Sequence, residues 1–205
     1  MLVASPRGDP EARRVGRIVE VEAYLGPEDR ASHARAVLTP RTAAMFGPPG
    51  AAYVYLVYGM HSCLNVVTEP DGRAGAVLIR AVEPIEGAAV MRAAVARHRA
   101  TRGRRPAPGA TRAVPDRRLA SGPGLVAACF SVDRSFTGVD LCDPDAPLHL
   151  ELPPRGARPV ALVAGPRIGV AHAGEPWTTL PYRFLDASSP SVSRFMRPGV
   201  AGGAA

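Results

Sequence analysis

Residues 17–24 read RIVEVEAY. Val19, Val21 and Ala23 fall on one side of this stretch, and Glu20, Glu22 and Tyr24 on the other. Strict alternation of apolar and polar side chains predicts a half-buried β-strand, because successive residues of a strand point to opposite faces of the sheet. The open face of that strand then shows two carboxylates, roughly 7 Å apart. A strand that buries one face needs neighbours of the same kind, and they follow downstream.

The segments AAYVYLVY, residues 51–58, and HSCLNVVT, residues 61–68, are β-rich and flank Gly59 and Met60. They predict a hairpin with Tyr58 and Met60 near its tip. A further strand is expected over residues 76–82. Pro84 then suits a first helical position, which predicts an alanine-rich helix from Pro84 to about Arg99. Ser121-Gly122-Pro123 reads as a cap opening a short helix that runs to about Phe130. One or two strands are expected in residues 158–171, and a last short helix from Ser188 to Met196. Residues 25–50 form a long connection that holds His33, and connections of that length are functional or disordered. There is no internal repeat and no linker, so the fold class is one mixed α+β domain.

Composition narrows the chemistry. The chain has 205 residues, 46% of them hydrophobic, which is enough for one domain with a real core and excludes a multidomain machine. A net charge of +7 favours a polyanionic partner. Every one of the 25 basic residues is arginine. Without lysine there is no side-chain Schiff base, no pyridoxal lysine and no phosphate-loop lysine. Cys63, Cys129 and Cys142 are odd in number and widely spaced, which argues against a disulfide framework or a thiolate zinc site and fits a reducing cytoplasm. His33, His61, His98, His149 and His172 show no metal-ligand spacing, so no metal is expected. The N-terminal residues lack a signal-peptide core, and residues 51–60 are too short to span a bilayer, so no membrane association is expected. Residues 92–118 hold nine arginines and a single acid, Asp116. That segment reads either as a solvated, flexible insertion or as a phosphate-contacting one.

Glu20 and Glu22 by themselves read most simply as a solvated strand face. A paired-carboxylate glycosidase needs its acids on opposite sides of the scissile bond, which neighbours on one strand do not provide readily, although one of the two suits a general base. The tyrosines say more. Tyr53, Tyr55 and Tyr58 are three of only five in the chain and share one hairpin, where Tyr24 can join them. Strand packing explains Tyr53, whereas Tyr58 beside a glycine at a hairpin tip is hard to bury. A basic protein with an exposed aromatic wedge, stacking tyrosines and a candidate carboxylate base has the parts of an enzyme that extracts a base from duplex DNA. A hydrolase of free nucleosides is the competing class and needs no wedge.

RIVEVEAYLGPEDRASHA, TPRTAAMFGPPGAAYVYLVYGMHSCLNVV, VLIRAVEPIEG, LASGPG and RIGVAHAG, in that order, resemble the 3-methyladenine (alkyladenine) DNA glycosylase family. The resemblance runs from about Arg17 to Phe184. It implies a single mixed domain on a curved, mainly antiparallel sheet with flanking helices, which flips alkylated purines out of double-stranded DNA and cleaves the N-glycosidic bond with water. By the same resemblance Glu22 is the catalytic carboxylate, Arg80 helps hold the attacking water, and a backbone carbonyl on that water is that of Ile168. Tyr24, His33 and Tyr55 sandwich the flipped base, and Asn65 crowds the guanine amino group. Tyr58 fills the gap left in the duplex, with Met60 beside it as a second intercalating residue. Glu20 lies outside these roles and its replacement by Gln is expected to be tolerated. The family has an additional helix and strand before the RIVE-type strand, so residues 1–16 are expected to be truncated or flexible, 17–197 to form the glycosylase domain and 198–205 a disordered tail. No cofactor is implied. A monomer in the nucleoid-associated cytoplasm of a bacterium is expected, acting without lyase activity, since β-elimination needs an amine and only the α-amine of Met1 could stand in for the missing lysines. A non-catalytic binder of damaged DNA on the same fold is the alternative.

Overall fold

The computed structural model describes residues 1–5, 9–35, 38–40, 42–101 and 114–193. Eight strands form one sheet: β1 (Leu2–Ala4), β2 (Arg14–Tyr24), β3 (Ala52–Val57), β4 (His61–Val67), β5 (Ala76–Glu86), β6 (Leu148–Leu150), β7 (Leu162–Gly165) and β8 (Arg183–Asp186). The α-helices among the described residues are α1 (Ala88–Ala100) and α2 (Pro123–Phe130). The order across the sheet is β3-β4-β5-β2-β1-β6, every described pairing is antiparallel, and β8 joins β2 on one side and β7 on the other. This is the curved α+β domain expected from the sequence, with β2 at its centre.

The apolar core lies between the sheet and the two helices. α2 is apolar all round, and Val126 to Phe130 are all buried, as a helix without a polar face must be. Pro123 occupies its first turn, where the missing N–H costs nothing. α1 buries only Met91, Ala94 and Val95, the spacing of one helical face, and turns its arginines outward.

Several expectations give way to long-range pairing. Residues 1–16 are not all flexible: β1 inserts between β2 and β6, with Leu2 and Val3 fully buried. Three apolar residues are too few to show a period. Pro84 does not start a helix, because β5 keeps pairing with β2 as far as Glu86 and Pro84 faces Gly16 beside a register shift, a setting that tolerates a residue without an N–H. The helix begins after Gly87, whose φ of +74° and whose contact with the Arg13 carbonyl exclude a side chain. Ser121 does not cap α2: Gly122 is the N-cap and the Ser121 hydroxyl donates to the Val192 carbonyl. Residues 158–171 do give one strand, β7, as expected, whereas residues 188–193 form turns rather than a helix.

Residues 92–100 of the arginine-rich segment belong to α1, and Arg92 pairs with Asp116 across it. The middle of that segment, residues 102–113, lies outside the described residues, as do the expected domain end at 197 and the tail 198–205. Among the described residues no helix is long and apolar enough to cross a membrane.

Candidate active site

The site starts from an irregularity between β2 and β5. Their pairing runs Tyr24 with Ala76 to Val21 with Ile79, but Glu20 then pairs with Ala81 and Ile18 with Val82. Arg80 on β5 and Val19 on β2 are therefore the extra residues of two adjacent bulges. A bulge re-aims the side chain it frees. Here it brings Arg80 to both acids: Nε donates to Glu20 Oε1 at 3.1 Å and Nη1 to Glu22 Oε2 at 3.3 Å.

Glu20 and Glu22 are 1% and 0% exposed, so the acid face of β2 is not solvated. What closes it comes from far along the chain. β8 pairs along β2 at this point, and Arg183 Nε donates to Glu20 Oε1 at 2.7 Å. Ser193 adds its backbone N–H to Oε2 at 2.7 Å and its hydroxyl to Oε1 at 2.9 Å. Glu20 thus accepts four hydrogen bonds among the described residues, three on Oε1 and one on Oε2. It also pins β2, β5 and β8 together. Its replacement is expected to cost stability, because a buried charge network tolerates loss of one partner poorly.

Glu22 accepts three: from the Tyr24 hydroxyl at 2.9 Å and Arg80 on Oε2, and from the Ile168 N–H at 2.7 Å on Oε1. One acceptor direction of roughly four is left. Tyr24, Arg80 and Ile168 all line a cavity of about 970 Å³, and Glu22 lies directly behind them. The atom of Ile168 placed on Glu22 is its amide N–H.

The cavity brings together nearly all the residues singled out from the sequence: Tyr24, His33, Tyr55, Tyr58, Asn65, Arg80 and Ile168. The His33 ring stands edge-on to Tyr55 at 4.3 Å between centroids, and its Nδ1 lies 3.2 Å from the Tyr53 hydroxyl. Tyr53 also lines the cavity although it is 2% exposed and packs in the apolar cluster beneath. Asn65 donates both amide protons to backbone, at 3.0 Å to Tyr53 and 3.3 Å to Cys63, which leaves Oδ1 as its remaining polar atom on the wall.

Electrostatics keep these groups in fixed roles. Burial, reinforced by the charge of Glu22, raises the Tyr24 phenol far above its usual value, so it remains a donor. Burial does the same for Tyr55, and pushes the Cys63 thiol up to about 11. For Arg80 burial acts against the charge, but Glu22 and Glu20 outweigh it and the pKa rises.

The hairpin tip is built differently. Tyr58 is 88% exposed and has φ of +51°, a left-handed conformation that costs a bulky L-residue about 1–2 kcal/mol. Gly59 follows at φ of +66°, and the Met60 N–H closes the turn on the Val57 carbonyl at 2.9 Å. Met60 is half exposed and does not line the cavity. Among the described residues no three His, Cys, Asp or Glu side chains cluster as metal ligands.

A model of the methylpurine-DNA glycosylase family matches residues 5–190. The chain belongs to that family. The DNA-3-methyladenine glycosylases of Mus musculus and Homo sapiens are 45% and 44% identical to it over 180 and 179 residues, 87% of this chain in each case. The chain spans 51% and 56% of those two proteins. A protein of Methanocella arvoryzae, provisionally named a 3-methyladenine DNA glycosylase, is 45% identical over 185 residues, 90% of this chain and 82% of its own. Membership of the methylpurine-DNA glycosylase family makes the chain a DNA glycosylase, an enzyme of DNA repair.

Sequence reading missed part of this glycosylase site. Arg183 and Ser193 carry no local signal, since only the pairing of β8 with β2 brings them to Glu20. Arg167 and Asp29 form a wholly buried pair next to Tyr24. Their clue was position alone, because Arg167 precedes Ile168 and Asp29 sits four residues before His33.

Proposed function

We propose that the chain excises alkylated purines of the 3-methyladenine type from double-stranded DNA by hydrolysing the N-glycosidic bond, as a monofunctional enzyme. The observation that carries this reading is Glu22, a buried carboxylate with one acceptor direction spare, held by three donors that line the cavity. A purine methylated at N3 or N7 carries positive charge as the nucleoside and leaves as a neutral base, so little acid assistance is needed. The bond between the base nitrogen and C1′ breaks with its electrons going to the purine. Water adds to the cationic sugar carbon, and Glu22 takes the water proton. Arg80 orients the carboxylate, and the negative charge of Glu22 opposes the charge developing on the sugar.

The flipped base is sandwiched by Tyr24, His33 and Tyr55, which all line the cavity. Asn65 crowds the guanine amino group. Tyr58, with Met60 beside it, enters the duplex and offsets part of the unstacking cost of a few kcal/mol. A strained, exposed tyrosine at a hairpin tip supports that role. Monofunctionality rests on the absence of lysine. The enzyme acts as a monomer, in the cytoplasm with the nucleoid, and requires no cofactor.

The test is incubation of purified protein with methylated duplex DNA in a chelator. Free methylated base and alkali-labile abasic sites are expected, with no strand cleavage and no borohydride-trapped covalent complex. Tight binding without base release would favour a non-catalytic damage binder. Equal release from the free nucleoside would favour a nucleoside hydrolase.

A further inference from the structure

Arg167 lies outside every role described so far, yet it is 4% exposed and surrounded by the parts of the site. Its guanidinium forks onto Asp29, Nη1 to Oδ2 at 2.5 Å and Nη2 to Oδ1 at 2.9 Å. Asp29 in turn accepts the backbone N–H groups of Leu25 and Ala31, at 3.1 and 2.9 Å, and so organises the loop that leads to His33. Nη1 of Arg167 also donates to the Ala23 carbonyl at 2.9 Å, one residue before Tyr24. The guanidinium carbon stands 4.7 Å from the Tyr24 ring centroid and 5.2 Å from that of Tyr182. Tyr24 lines the cavity and Arg167 does not, so Arg167 backs the ring from behind. The next residue along, Ile168, donates its N–H to Glu22.

We infer that Arg167, seated on Asp29, is a positioning residue that locks the Tyr24 platform and the Ile168 amide into one rigid unit, so that the flipped base and Glu22 are held in register. A guanidinium is suited to this, because its planar fork fixes direction as well as charge while its face stacks on an aromatic ring. The inference rests on Glu22 being the carboxylate that activates water. Small displacements of a reacting group cost rate much more than affinity.

The experiment compares Arg167→Lys and Arg167→Met with the parent and with Glu22→Gln. Single-turnover base release from methylated duplex DNA is measured on the fraction competent to bind that duplex, and its Kd is measured separately. Arg167→Lys keeps the charge opposite Asp29 and preserves the fold, while losing the fork. Its release rate is expected to fall about tenfold with Kd changed by less than about twofold, and Arg167→Met is expected to lose more. A purely structural role would change the competent fraction and leave its rate untouched. An unchanged rate in Arg167→Lys beside an inactive Glu22→Gln would overturn the positioning role alone. Full activity in Glu22→Gln would overturn the reading on which it rests.

Discussion

Glu20 accepts hydrogen bonds from two guanidinium groups, a backbone N–H and a hydroxyl, three of them on Oε1 and one on Oε2. Glu22, two residues along the same strand face, accepts one guanidinium, one phenol and one backbone N–H, every one belonging to a residue on the cavity wall. Equally buried acids thus differ in the number and the place of their donors. A carboxylate held by four donors, one of them Arg183 off the cavity wall, serves as a rivet between strands. One with a vacant direction, beside a cavity, can hold a water and receive its proton. Burial alone does not reveal that difference.

The comparison breaks most visibly at Glu22. Glu22→Gln keeps shape and removes the proton acceptor, so single-turnover excision is expected to fall roughly 10²- to 10⁴-fold while binding of lesion-containing duplex persists. Excision surviving that change, with loss in Glu20→Gln instead, would reverse the two roles.

Glu20→Gln tests the other half. An amide cannot satisfy Arg80, Arg183 and Ser193 together, and disrupting a buried ion network costs about 3 kcal/mol or more. Urea unfolding should show that loss, whereas the excision rate of the remaining folded enzyme should stay within a few-fold of the parent. Unchanged stability would mean that Glu20 is no rivet.

Substitutions at the cavity mouth should affect how often Glu22 acts and leave the stability set by Glu20 alone. Tyr58→Ser removes the exposed ring, and damaged duplex is expected to bind about tenfold more weakly, with lesions in unpaired DNA suffering less. A fluorescent base analogue at the lesion reports the flipped fraction. Full flipping by Tyr58→Ser would reduce the ring to decoration of the turn.

The smallest effect is expected at Asn65. Asn65→Ser shortens the side chain tied to the Tyr53 and Cys63 carbonyls, and should raise release of methylated guanine relative to 3-methyladenine by a few-fold, about 1 kcal/mol of discrimination. An unchanged product ratio, read by chromatography of released bases, would place guanine rejection elsewhere on the wall.

Much of the molecule was legible before its fold. Alternation in RIVEVEAY predicted β2, and the glycine between two β-rich runs predicted the hairpin with Tyr58 at its tip. Proline followed by an apolar run predicted α2. What local pattern could not show was pairing. It placed Pro84 in a helix that β5 displaces, missed β1 because three residues have no period, and read a buried acid face as an open one.

The sequence by itself determined that two acids share one strand face, that tyrosines gather on one hairpin, and that no lysine is available for covalent chemistry. Which donors each acid receives was decided by tertiary structure alone. Alternation makes Glu20 and Glu22 equivalent, since period-two geometry gives both the same face and the same backbone. The difference enters with donors 163 and 173 residues away on Glu20, Arg183 and Ser193, and 146 residues away on Glu22, the Ile168 N–H. Only the packing of β8 and its flanking loops against β2 delivers them, and a local pattern carries no record of partners so distant along the chain.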